Sequence, residues 1–167
     1  MYIIVFLAVY VQVFFMVTFF ERRKHLNALH DEGVPKLSTY PTVSVIVPAW
    51  NEGKTVHGTI ESILNLDYPE DRLEVIVVDD GSTDNTWDEM LTYKDNPRVR
   101  IFQKENGGKH TAVNFGIDNT DADFISCLDA DSFVAHDALK RMINVFQKKP
   151  DVMAVAPSLI VNKPKNI

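Results

Sequence analysis

The chain has 167 residues, 46% of them hydrophobic, and a formal net charge of -6. That length favours one domain with a packed core, and an acidic chain without a basic stripe excludes a nucleic-acid footprint. A single cysteine, Cys127, rules out an intrachain disulfide, and the five histidines lack zinc-type spacing; only His110 falls beside a candidate site.

Residues 1–20 carry no charged side chain, and only Gln12 and Thr18 are clearly polar. As a helix they would span roughly the 30 Å of a bilayer's hydrocarbon core. Glu21-Arg22-Arg23-Lys24-His25 follows at once. A signal peptide would show a basic front, a shorter apolar run and a small-residue cleavage site. The expectation is therefore a transmembrane helix over 1–20 in the cell membrane, with the basic cluster on the cytoplasmic side. Residues 21–41, broken by Gly33, Pro35 and Pro41, read as a juxtamembrane linker. A globular unit over 42–167 would then face the cytoplasm.

Within that unit the pattern alternates strand and helix. Val43–Val47 is a β-rich run, and Val56, Ile60, Ile63 and Leu64 repeat at helical spacing. Leu73–Val78 is a nearly continuous apolar strand, and Ser82, Thr83 and Asp84 offer caps for a short helix through Trp87, Met90 and Leu91. Val99–Phe102 is a third strand, Asn106-Gly107-Gly108 opens a helix through Ala112, Val113 and Ile117, and Phe124–Leu128 is a fourth strand that buries Cys127 as a small core residue. Leu139, Met142, Ile143 and Phe146 mark a last helix, and Val152–Ala156 reads as a fifth strand. Continuous apolar strands alternating with helices predict an α/β fold, a mostly parallel sheet with helices on both faces.

Ligands of such sheets bind beyond the carboxyl ends of the strands, and the polar motifs collect there. Pro48-Ala49-Trp50-Asn51-Glu52 follows strand one, Asp79-Asp80-Gly81-Ser82 strand two, and Asp129-Ala130-Asp131 strand four. Carboxylates crowded on one rim repel one another unless a cation or hydrogen-bond donors offset them. Oxygen ligands favour Mg²⁺ or Mn²⁺. In an extended segment Asp129 and Asp131 would point the same way and reach one metal. The glycine loop before Lys109 suits an anion at a helix N-terminus, although taken by itself an ordinary helix-entry turn with an exposed lysine explains it better.

Taken together and in this order, these segments, with Asn106-Gly107-Gly108-Lys109, resemble the family-2 glycosyltransferases of GT-A fold over about residues 42–160. The resemblance implies that Pro48, Ala49 and Glu52 wall the nucleoside, that Asp80 reads the base with Asp79 beside it, and that Lys109 contacts the donor near its diphosphate. It implies that Asp129 contacts the donor and that Asp131 is the principal metal ligand. An N-terminal membrane helix is similar to the processive hyaluronan, cellulose and poly-N-acetylglucosamine synthases. The implied activity is inverting, metal-dependent transfer from a nucleotide-diphosphate sugar, a UDP-sugar first and a GDP-sugar second, to a saccharide or lipid-linked acceptor. The family's catalytic base is expected beyond Ile167, so the chain should hold the donor half of a longer domain. Alternatives are a non-catalytic membrane-tethered nucleotide-sugar-binding module and a polyprenyl-phosphate glycosyltransferase. A receiver domain is disfavoured because its acidic pair would follow the first strand.

Overall fold

The structure, a computed structural model, describes residues 9–21 and 33–157 in two units, Met1–Pro35 and Lys36–Ile167. In the first unit residues 9–21 form helix α1, exposed throughout. The expected apolar span over 1–20 lies partly outside the described residues, as does the Arg22-Arg23-Lys24 cluster. Among the described residues no helix is long and apolar enough to cross a membrane.

The second unit runs β1 (Val43–Ala49), α2 (Val56–Leu64), a 3-10 turn (Glu70–Arg72), β2 (Leu73–Asp79), α3 (Thr86–Leu91), β3 (Val99–Gln103), α4 (Lys109–Asp118), β4 (Phe124–Cys127) and α5 (Ala138–Lys148). The four strands are parallel, in the order β3-β2-β1-β4. β1 and β2 are the inner strands, so both their faces are covered and they are buried throughout except for Glu74.

The two-residue period sorts their side chains. Val43, Val45, Val47 and Ala49 with Val75 and Val77 pack against Val56, Ile60 and Ile63 of α2, Met90 of α3, and Leu139 and Ile143 of α5. Ile46, Ile76 and Val78 point the other way, onto Ala112 and Phe115 of α4. Gly116 lets α4 lie close: a Cβ there would stand 2.6 Å from Ile46 Cγ2. Thus α2 and α3, which carry the chain from β1 to β2 to β3, cover one face. α4, which carries it back to β4 on the far side of β1, covers the other, as one crossover hand requires. The progression reverses between β1 and β4, and the carboxyl ends of those strands form the topological switch point.

Three expectations change. Residues 152–156 are irregular; an isolated strand gains no ladder hydrogen bonds, and none of the described strands pairs with them. Cys127 is exposed, because β4 is an edge strand and α4 lies over β1 and β2 instead. Ser82 and Thr83 do not cap α3, whose N-cap residue is Asn85, without a side-chain cap; Asp84 accepts the N–H of the helix's first residue, Thr86, and all three fasten two loops together.

Candidate functional site

The loops after β1 and β2 are cross-linked by side chains. Asn51 takes a positive φ of 57°, a conformation Asn tolerates better than most residues. Its Oδ1 accepts the Thr83 N–H at 2.8 Å, and its own N–H donates to Ser82 Oγ at 2.9 Å. The fully buried Thr86 accepts the Glu52 N–H at 2.8 Å, and Asp84 accepts the N–H groups of Gly53 and Thr86 at 3.2 and 3.0 Å. The Thr86 hydroxyl and these backbone donors hold the Asp84 carboxyl below its usual value against the effect of desolvation. One stapled wall results, with Glu52 turned to accept the Thr55 hydroxyl at 2.6 Å.

Asp79 and Asp80 diverge, as adjacent residues leaving a strand must. Asp79 is fully buried; it accepts the Ser82 N–H at 3.1 Å and Gln103 Nε2 at 2.9 Å and does not line the cleft. Asp80, 3% exposed, lines it. Its Oδ1 accepts Lys104 Nζ at 2.6 Å and the Gly107 N–H at 3.0 Å, and its Oδ2 accepts the Gly108 N–H at 2.8 Å. Burial pushes this carboxyl up, but the Lys104 ammonium and the two glycine N–H groups outweigh it and hold the group below its ordinary range. The anion bound by the glycine loop is therefore the chain's own carboxylate. Gly81, at φ 70°, permits the close approach: a Cβ would meet Asn106 N at 2.8 Å.

Asp129-Ala130-Asp131 is a tight turn rather than an extended segment, closed by the Ser132 N–H on Asp129 O at 2.9 Å. Its buried middle residue, Ala130, is anchored through its carbonyl by the Thr59 hydroxyl of α2 at 2.8 Å. Both flanking carboxylates are exposed. Lys109, the first residue of α4, reaches Asp129 Oδ1 at 2.5 Å, with 61% of its side chain exposed. That hydrogen bond, working against partial burial, raises the Lys109 ammonium's pKa.

These pieces meet in one cleft of about 420 Å³ at the switch point, lined by Pro48, Ala49, Trp50, Glu52, Asp80, Asn106, Gly108, Lys109, Asp129, Ala130 and Asp131. Every residue given a donor or metal role by the resemblance lines it except Asp79. Three participants were missed. Trp50, 56% exposed in the wall, and Asn106 stood inside the motifs without assigned parts. Lys104 stood outside them, and only the pairing of Asp80 with the β3–α4 loop exposes its place. His110 does not line the cleft. A larger groove of about 1240 Å³ runs along the amino ends of the strands, with the mixed charges of Asp71, Arg72, Glu74, Arg98 and Arg100; parallel sheets bind ligands at the opposite rim.

Among the described residues no group of three or more His, Cys, Asp or Glu side chains could hold a metal ion. Asp129 and Asp131 offer two carboxylates in an open cleft. That suits a hard cation completing its shell with water and substrate oxygens, the habit of Mg²⁺.

The strand order and a polar cleft at the switch point define a doubly wound α/β ligand-binding domain. Within that class, the chain belongs to glycosyl transferase family 2, whose sequence profile matches residues 44–166, and its parallel sheet is consistent with the GT-A fold. It is 39% identical over 114 residues to the poly-beta-1,6-N-acetyl-D-glucosamine synthase of Staphylococcus epidermidis, covering 68% of this chain and 27% of that protein. With the enzyme of the same description from Staphylococcus aureus it shares 34% over 154 residues, 90% of this chain and 36% of that one. The chain thus spans about a third of such relatives. Among solved structures, S. aureus TarS in complex with UDP-GlcNAc superposes with a TM-score of 0.59 at 28% identity, over 64% of this chain and 31% of that one. The mannosyltransferase PcManGT from Pyrobaculum calidifontis, in complex with GDP-Man and Mn2+, gives 0.62 at 25%, over 78% and 39%.

Proposed function

We propose that this chain is the donor-binding portion of an inverting glycosyltransferase that moves a sugar from a nucleoside diphosphate, a UDP-sugar by preference, to a saccharide or lipid-linked acceptor. One observation carries the reading. Asp80, Lys109, Asp129 and Asp131 come from segments following β2, β3 and β4, and they line a single cleft with the β1 loop.

The division of labour follows from exposure. Pro48, Ala49, the exposed ring of Trp50 and Glu52 offer an apolar and polar wall for a nucleoside, and Asp80 an acceptor for it. Lys109 is the exposed cation of the cleft and meets the negative charge that grows on the departing diphosphate, the electrostatic help that is often the largest catalytic contribution. In the free protein Asp129 holds that ammonium in place. Asp131, bonded among the described residues only to the adjacent Ser132 hydroxyl at 3.3 Å, is the principal ligand for Mg²⁺ or Mn²⁺, with Asp129 second. When bound, the metal neutralises phosphate oxygens and acts as a Lewis acid on the leaving group. Asp79 sets the geometry of the loop and has no donor contact in this scheme.

The likeness to poly-N-acetylglucosamine synthases and to the UDP-GlcNAc complex of TarS supports a UDP-sugar donor and polysaccharide synthesis. The apolar run of residues 1–20 with its following basic cluster supports anchoring in the cell membrane, with the catalytic unit on the cytoplasmic side. Calorimetric titration of the full chain with UDP, with and without Mn²⁺, tests the proposal. Wild type should bind in a metal-dependent manner, and Asp131→Ala should lose the metal dependence. Equal affinity in both proteins removes the metal assignment, and no binding to folded protein removes the donor site.

A further inference from the structure

Outside the lining of the cleft, bonded to Asp80, stands a second lysine whose role differs from that of Lys109. An ammonium has three N–H donors, and Lys104 uses all of them internally. It donates to Asp80 Oδ1 at 2.6 Å, Glu105 O at 2.5 Å and Thr111 Oγ1 at 2.8 Å, with 20% of its side chain exposed. No donor is left for a phosphate, so Lys104 is not a second diphosphate clamp.

Its effect falls on Asp80. A carboxylate offers about four acceptor positions, two on each oxygen. Lys104 Nζ and the Gly107 N–H fill both positions on Oδ1, which the Thr111 hydroxyl also approaches at 3.5 Å, while among the described residues Oδ2 receives only the Gly108 N–H. One acceptor position remains, on a group that lines the cleft.

We propose that Lys104 is a specificity-determining positioning residue: by occupying Asp80 Oδ1 it reduces Asp80 to a single-acceptor reader of the nucleobase. The proposal rests on the donor-site reading above. Nucleobases differ in the feature such a reader detects. Uracil presents one ring N–H between two carbonyls. Guanine presents a ring N–H and a neighbouring amino group, two parallel donors that match both oxygens of a free carboxylate. With Oδ1 filled, the amino group of guanine meets no acceptor on Asp80 and its desolvation is left uncompensated. Uracil loses nothing.

The test compares UDP, GDP and inosine diphosphate by calorimetry with Mn²⁺ present, on the full-length wild type and on Lys104→Met and Lys104→Arg. Hypoxanthine is guanine without the amino group, so the GDP-to-IDP affinity ratio cancels base size and reports the second acceptor alone. Wild type should prefer UDP and bind GDP and IDP within a few-fold of each other. Lys104→Met opens a position on Oδ1, and GDP should gain about tenfold over IDP, the worth of one charge-assisted hydrogen bond. Lys104→Arg refills Oδ1 and should return the ratio to that of wild type. A merely structural lysine would lower all three affinities together and leave the ratio fixed, which overturns the proposal. A wild-type preference for GDP over IDP of tenfold or more overturns it as well, whether or not Lys104→Met folds. Failure of all three nucleotides to bind folded wild type refutes the donor site itself, a different result from a flat ratio with UDP bound.

Discussion

Replacing Asp80 with alanine should unfold the cleft from its centre. The carboxylate is 4% exposed as a side chain and faces an ammonium that is 20% exposed, at 2.6 Å. Its removal strands the Lys104 charge and the N–H groups of Gly107 and Gly108, which have no other acceptor among the described residues. Breaking a buried ion pair from one side costs about 3–5 kcal/mol. Lys104 keeps the Glu105 carbonyl and the Thr111 hydroxyl, so the lower end, about 3 kcal/mol, is expected. Urea denaturation of the full chain measures it. The double variant Asp80→Ala, Lys104→Met separates the pair from the backbone contacts. It should recover part of the loss, leaving a coupling of about 1–3 kcal/mol. A single-variant cost below about 1 kcal/mol would refute the view that Asp80 organises the glycine loop.

Gly116→Ala should cost about 1–3 kcal/mol by overpacking, because the new Cβ meets three side-chain atoms of the buried Ile46; an unchanged thermal midpoint would contradict the close approach of α4 to β1. Thr86→Val leaves the Glu52 N–H without its acceptor and should cost about 1–3 kcal/mol and weaken UDP binding by loosening the stapled wall. Lys109→Met, at an exposed position, should leave the denaturation midpoint where it is and lower UDP affinity about tenfold, with a smaller salt dependence. The Asp80 pKa lies below the usual 3.8 in the folded chain. Its contribution to stability is therefore complete above that pH and is lost as the pH falls below it toward the folded-state value. A stability–pH titration of Asp80→Asn should show a shallower acid limb than wild type.

The sheet was readable because β1 and β2 are inner strands and therefore apolar along their whole length, a pattern that polar edges do not blur. The edges were harder. Cys127 looks like core by its apolar neighbours, yet β4 has no helix over that face, and strand position in the sheet is a property of topology. Val152–Ala156 has strand chemistry without a strand to pair with. At the site, residue identity located the cleft, since acidic strand ends gather at one rim of any parallel sheet. What residue chemistry alone could not resolve was which acid lines the cleft, although the family resemblance pointed to Asp80. Asp79 and Asp80 look alike on paper, but the pleat sends one into the interior and the other into the cleft. Lys104 escaped notice for a related reason: its partner lies 24 residues back along the chain, and no local spacing records that.

A crystal structure of the full chain soaked with UDP and Mn²⁺, with data collected at the manganese absorption edge, addresses the convergence of these loops on one ligand. An anomalous peak between Asp129 and Asp131, with the diphosphate beside Lys109 and the base against the wall from Pro48 to Glu52, is the predicted outcome. Manganese and nucleotide lodged in the groove at the amino ends of the strands, with the cleft filled only by solvent, would contradict it.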